Sequence, residues 1–408
     1  MVTTPQKAED PHARRTSFIT MAEQPHGDRA PGARARSDEA RARPARWQQA
    51  LPDPAGRHRA GSAYEKHHIK AADRLLANRH LHSERDGIYR AIARNLLTGI
   101  KHPVVIVDWS DLEPRRRWLV IKAAAAVGGR AVSLYEKVYP MKRYNSPRTH
   151  REFLRALKAV LPDGCKPIIV TDAGFRGPWF KAVEAQGWDW VGRIRNKIKY
   201  YHAGSRRWRY TDTLYKKATA RVQHIGEVSL SPRHGYRFRL YLVRAYKPSR
   251  GRPRRGERAK CPHARTYRRL HKAPWLIATS VAHKSGSSRK IKQLYAQRMQ
   301  IEETFRDTKS HRWGFGLHYA RCDNGRRLEV LLLIAALASL VLWLVGLCGR
   351  ALDWSRRLQA NTERRRPVLS TVFIGRQLLR RSAVELPKRA LDLAMAELRA
   401  LIMAAVPI

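Results

Sequence analysis

P-V-V-I-V-D at residues 103–108 and P-I-I-V-T-D at residues 167–172 decide the fold of this chain. Each is a short β-branched run opened by proline and closed by turn residues, Trp109-Ser110 in one case and Ala173-Gly174 in the other. Such runs predict buried strands. Buried strands of an α/β sheet deliver functional side chains at their carboxyl ends, and here those ends carry Asp108 and Asp172. Taken singly, an aspartate just past a strand is as readily a turn or helix cap.

A third acidic residue lies far downstream, in Y-A-Q-R-M-Q-I-E-E-T-F-R-D-T-K at 295–309. Wound as one helix at about 100° per residue, this stretch places Tyr295, Arg298, Glu302 and Lys309 within an arc of roughly 60°, joined by Arg306. Leu294, Ile301 and Phe305 make a neighbouring apolar stripe that can pack on a core. A solvated, salt-bridged surface helix would show similar pairs. Two strand-end aspartates plus a helical glutamate, however, is the set that holds two divalent cations for phosphoryl transfer.

The residues also resemble a known family. Tyr295, Arg298, Glu302 and Lys309 meet the Tyr-(2)-Arg-(3)-Glu-(6)-Lys signature of bacterial cut-and-paste DDE transposases of the insertion-sequence-four type. V-D-W-S-D-L (107–112), S-L-Y-E-K (133–137), D-A-G-F-R-G-P-W (172–179), G-W-D-W-V-G-R-I-R (187–195) and R-M-Q-I-E-E-T-F-R-D (298–307) look like that family too. So do R-L-L-A-N-R-H-L-H (74–82) and N-T-E-R-R-R-P-V-L-S-T-V (361–372). The resemblance covers about residues 63–380 and is strongest to the transposases of insertion elements flanking a tetracycline-resistance transposon.

That resemblance implies an α/β, RNase H-like catalytic domain interrupted by a β-rich insertion, with flanking helical segments. It implies that Asp108, Asp172 and Glu302 are catalytic and hold two Mg²⁺ ions, with Mn²⁺ able to substitute. It implies DNA contacts by Tyr295, Arg298 and Lys309, and by Trp275, whose ring would stack on a base flipped out during hairpin formation. The partners implied are double-stranded DNA, as terminal inverted repeats and target, and a second copy of the chain in the DNA complex. The reaction implied is nicking, hairpin formation, hairpin reopening and strand transfer. Two other classes stay open: an RNase H-like nuclease that cuts without joining, and an inactive DNA-binding relic.

Composition agrees with a polyphosphate partner. There are 82 Lys+Arg against 33 Asp+Glu, a formal net charge of +49, far beyond what solubility requires. A basic ribosomal or chromatin-type protein would share the charge but not 11 Trp and a 43% hydrophobic fraction. Cys165, Cys261, Cys322 and Cys348 lack C-x-x-C spacing, and Cys261-Pro-His263 has no second ligand pair, which points to free cytosolic thiols. The sequence shows no secretory signal, and the expected location is the cytoplasm, on the nucleoid.

Along the chain, residues 1–62 have few large apolar side chains and no periodicity, so disorder is expected there. They match no folded domain, and a truncated or frameshifted start is one origin for them. Residues 63–100 read as a helical remnant of an N-terminal DNA-binding domain. Residues 101–196 are the first part of the catalytic domain, 197–284 the β-rich insertion, 285–325 the second part with Glu302, and 326–408 a helical C-terminal region. Val330–Gly349 carries no charge over twenty residues and has the length of a membrane span; the resemblance reads it as a core helix instead, with no membrane partner.

Overall fold

The computed structural model describes residues 64–407 except 114–115, 203–204, 206, 231–235, 245–272, 312–313, 321, 361, 363–366 and 382–385. The N-terminal segment 1–62 and nearly all of the basic loop at 248–273 therefore lie outside the described residues. Helices α1 (Glu65–Leu76) and α2 (Arg79–Leu97) come first. The helical pattern from Ala63 to Leu97 divides at Asn78, whose side-chain oxygen accepts from the His80 and Leu81 N–H groups and caps α2.

Three antiparallel strands follow: β1 (Val104–Asp111), β2 (Trp118–Gly128) and β3 (Arg130–Pro140). Helix α3 (Pro147–Val160), opened by Ser146 as N-cap, leads to β4 (Ile168–Thr171), then α4 (Gly177–Glu184) and β5 (Asp189–Ile194). Strands β4 and β5 run parallel to β1. The resulting order β3-β2-β1-β4-β5, with its crossovers carried by helices, is an RNase H-like α/β fold.

The next strands extend the same sheet. They are β6 (Lys199–His202), β7 (Trp208–Tyr210), then, after the short α5 (Asp212–Tyr215), β8 (Gln223–Ser229), β9 (Arg237–Val243) and β10 (Trp275–Thr279). The sheet has ten strands, and β10 lies between β5 and β9, antiparallel to both. Helices α6 (Ser287–Ala296), α7 (Met299–Lys309), α8 (Gly325–Ala351), α9 (Trp354–Leu358), α10 (Thr371–Leu379) and α11 (Lys388–Ala404) close the described chain.

Strand alternation divides the core in two. Val105, Val107 and Ile169 pack on one face with Tyr89 and Leu96 of α2, Phe153 of α3, Trp179 of α4 and Leu398 of α11. Val104, Ile106 and Val170 pack on the other with Leu294 of α6, Ile301 and Phe305 of α7 and Leu331 of α8. Successive side chains of a strand point to opposite faces. Asp108 and Asp172 continue the even-numbered series, toward α6 and α7.

By length and composition α8 could cross a membrane. In the structure it is a helix of the fold, with Leu328, Val330, Leu333, Trp343 and Leu347 buried. It meets α10 backbone to backbone. A Cβ on Gly346 would stand 2.0 Å from the Thr371 carbonyl oxygen, and one on Gly375 2.1 Å from that of Leu342. Only glycine permits that approach.

Candidate active site

Strand register sets the first two carboxylates side by side. Val107 of β1 pairs with Thr171 of β4; Asp108 is the next residue, still within β1, and Asp172 is the first residue past the end of β4. Backbone donors hold both. Trp109 N–H donates to Asp108 Oδ1 at 2.8 Å, and Gly174 N–H donates to Asp172 Oδ1 at 2.7 Å. A Cβ at position 174 would crowd Asp172 Oδ1 at 3.0 Å, which accounts for glycine in that turn.

The third carboxylate arrives on α7, whose rotation is set by buried polar side chains. Gln300 Oε1 accepts from the Val127 and Gly128 N–H groups, both at 3.0 Å, and Thr304 Oγ1 exchanges hydrogen bonds with Ala131. Asp307 pairs with Arg130. These three contacts pin α7 to the turn between β2 and β3, while Ile301 and Phe305 enter the core. Glu302, away from that buried face, is exposed and pairs with Arg298.

The stretch 295–309 is not one helix, as its periodicity predicts. Helix α6 ends at Ala296 and α7 begins at Met299. Between them Gln297 N–H bonds Leu294, Arg298 N–H bonds Tyr295, and Gln300 N–H bonds Gln297, each three residues back. This tightened turn keeps helical dihedrals at Arg298 but changes the direction of the chain. Tyr295 is consequently 3% exposed, its ring edge-to-face with Trp275 at 4.9 Å and its hydroxyl in contact with Arg193. Burial raises the Tyr295 pKa against the opposing charges of Arg298 and Arg193. Arg193 in turn donates to the carbonyls of Ala273 and Pro274, at 3.0 and 3.3 Å, and so fixes the start of β10 and Trp275.

The signature cations already hold carboxylates. Arg298 Nη1 lies 2.6 Å from Glu302 Oε1 and 3.9 Å from Asp108 Oδ2. Lys309 pairs with Asp111, which Arg116 also approaches at 3.4 Å. Burial pushes the Asp111 carboxyl up, but Lys309 and Arg116 outweigh it and leave the pKa below its ordinary value. The Asp108 carboxyl moves the other way, pushed up to about 8 by burial and by Asp172, with Arg298 opposing. Arg306 pairs with its helix neighbour Glu303 at 3.0 Å and takes no part in the centre.

Residues 99–339 match the family model for the transposase DDE domain, more than half of the chain. The chain belongs to that family. No curated protein matches it. Seven chains of solved structures match, among them a piggyBac transposase synaptic complex with hairpin DNA determined by cryo-EM. That likeness is at 12% identity and a TM-score of 0.34, covering 73% of this chain and 57% of that one.

Asp108, Asp172 and Glu302 suit a hard divalent cation. All are oxygen donors, and the raised Asp108 pKa records acidic groups crowded together that a dication would relieve. As the side chains stand, no group of three or more His, Cys, Asp or Glu among the described residues is spaced for a metal ion. The Arg298 guanidinium contacts both Glu302 and Asp108.

Three neighbours of the centre were not foreseen. Asp111 was quoted within V-D-W-S-D-L, but its pairing with Lys309 spans 198 positions and leaves no local trace. Tyr144, edge-to-face with Trp109 at 5.4 Å, has its pKa raised by burial and then by the charges of Asp172 and Asp108. Lys122 sits opposite Asp108 in the β1–β2 register, buried in an ion pair with Glu136 at 2.7 Å and 4.9 Å from the Phe305 ring centre. A lysine inside W-L-V-I-K-A-A-A-A-V is a signal that could have been read: a charge in a buried strand demands a partner.

Proposed function

We propose that this chain is a cut-and-paste transposase of the insertion-sequence-four type, cleaving and joining DNA at a centre made by Asp108, Asp172 and Glu302. The observation that supports the reading is that Arg298 contacts both Asp108 and Glu302, residues 194 positions apart in the chain. Asp108 and Asp172 each follow one residue after the paired Val107 and Thr171 of neighbouring parallel strands, and Glu302 of α7 shares the Arg298 guanidinium with Asp108.

The three carboxylates are the residues that would hold two Mg²⁺ ions. When bound, such ions activate an attacking hydroxyl and neutralise the leaving oxygen of an in-line displacement. In the first step water cuts one phosphodiester and frees a 3′-hydroxyl at the element end. That hydroxyl then attacks the opposite strand, exchanging one phosphodiester for another in a hairpin. Hairpin reopening consumes water, and joining to target DNA is a further exchange.

Arg298 and Lys309 serve this sequence as phosphate ligands, the first as a planar fork and the second as a point charge. Both must trade carboxylates for phosphates, and Arg298 in doing so leaves Glu302 and Asp108 to the metal. Tyr295 joins them by sharing its hydroxyl between Arg193 and the strand. Trp275, half-buried against Tyr295, receives the extruded base; stacking returns part of the few kcal/mol spent on unstacking it. The chain works as a homodimer on paired element ends, in the cytoplasm on the nucleoid, with α8 in the protein core.

The test is purified protein with Mg²⁺ and DNA carrying the terminal repeats that neighbour its gene. Joined products are the expected result. Cleavage without joining would make the protein a nuclease, and binding without cleavage would make it a relic. Within the same assay Trp275→Ala should spare the first nick and slow the hairpin, with Trp275→Phe recovering part. Equal loss of both steps would remove the stacking role.

A further inference from the structure

At the outer edge of the sheet, β6 and β7 form a ribbon whose exposed side alternates rings and cations. The register pairs Lys199 with Tyr210 and Tyr201 with Trp208. Directly opposed residues of an antiparallel pair share a face, so these four line one side. Tyr200, of the other parity, is buried. Trp208 and Tyr210 are 37% and 40% exposed. The Lys197 and Lys199 ammonium groups stand 4.6 and 5.7 Å from the Tyr210 ring centre, and the Tyr201 and Trp208 rings are 5.3 Å apart. Lys197 also lies 4.0 Å from Asp212, an exposed and therefore weak pairing.

Charged side chains are one way in which edge strands are kept from aggregating. Lysines would suffice for that, without bare rings. Part-exposed rings set among ammonium groups match the chemistry of an unpaired nucleic-acid strand, bases on the rings and phosphates on the cations. An acidic peptide would use the cations and leave the rings idle. Duplex DNA presents phosphates but encloses its base faces.

We propose that the β6–β7 ribbon binds unpaired DNA strand, with bases stacked on Trp208 and Tyr210 and phosphates on Lys197 and Lys199. This deepens the transposase reading, since opened or cut DNA ends supply such strand. The ribbon is separate from the carboxylate centre. Strands β5, β10, β9 and β8 intervene between β4 and β6, on the order of 25 Å along the sheet at the usual strand spacing.

Fluorescence anisotropy on the full chain tests this, with labelled oligothymidine and a duplex of equal length as probes. The Trp208→Ala/Tyr210→Ala double variant should lose about tenfold or more in single-strand affinity, with duplex affinity and thermal midpoint unchanged. Trp208→Phe should keep part of the affinity. Lys197→Gln/Lys199→Gln should flatten the salt dependence. Unchanged single-strand affinity in the aromatic variant would make the ribbon a solvated edge. An equal loss on duplex would make it a backbone contact without stacking. Glu302→Gln run alongside separates the two readings. Cleavage surviving in it removes Glu302 from the proposed centre and leaves the ribbon result standing, whereas parental binding by the ribbon variants overturns only the ribbon.

Discussion

The strand half and the helix half of the active site are held by different forces. Asp108 and Asp172 are fixed by backbone N–H donors at 2.8 and 2.7 Å, from residues that belong to the sheet and its adjoining turn. Glu302, Arg298 and Lys309 are held by side-chain ion pairs with one another, with Asp108 and with Asp111. Backbone anchors cannot move without disturbing the sheet, whereas a largely buried arginine or lysine keeps its charge satisfied if a phosphate takes the place of its carboxylate. One half of the centre is therefore preset and the other is switchable. The switch runs through Arg298, whose present partners are two of the three metal-binding candidates.

The largest effect belongs to the carboxylates. Asp108→Asn, Asp172→Asn and Glu302→Gln should each lower Mg²⁺-dependent cleavage by roughly a thousandfold, the worth of several kcal/mol of transition-state charge stabilisation. DNA affinity in a gel-shift assay should stay near parental. A variant that cleaves at the parental rate removes that residue from the centre, whichever half it belongs to.

Next come the exchangeable cations. Arg298→Ala or Lys309→Ala should weaken end binding about tenfold and reduce the slope of log affinity against log salt by about 1. Arg298→Gln should have an opposite effect on metal. Without DNA it should bind Mn²⁺ several-fold more tightly, as read by electron paramagnetic resonance of free Mn²⁺. Equal or weaker Mn²⁺ binding would break the distinction between a preset and a switchable half. Asp111→Asn releases Lys309 and should raise DNA affinity a few-fold at low salt; a fall would mean that Asp111 positions the lysine rather than competing for it.

The last effect is on stability, and its sign is set by Asp108. Its pKa lies at about 8, above the usual 3.8, so the unfolded chain ionises first. Stability is lost as pH rises from about 4 through 8. In metal-free buffer Asp108→Asn should melt with the parent near pH 4 and above it at pH 8. A constant difference across that range would show that the carboxyl is not held neutral by its surroundings.

Much of the strand half was legible because its cause is local. Two β-branched runs specify strands, and parity along them sends Asp108 and Asp172 to one face. The apolar stripe of Ile301 and Phe305 likewise foretold which side of α7 enters the core. The helix half depends on contacts distant in sequence. Gln300 and Thr304 find their partners 172 and 173 positions away, and the break at Arg298 hides in dihedrals that stay helical. Trp275 reaches Tyr295 because β10 inserts between β5 and β9, a pairing that no periodicity encodes.

The central claim, that Asp108, Asp172 and Glu302 form one two-metal centre completed when Arg298 turns to DNA, is met most directly by Mn²⁺ paramagnetic resonance on the protein with and without an end-bearing duplex. The account predicts a spin-coupled Mn²⁺ pair in the DNA complex. The pair should be lost in each of the three carboxylate variants and weak or absent without DNA. A coupled pair that persists in any one of those variants, or that forms equally well without DNA, would contradict it.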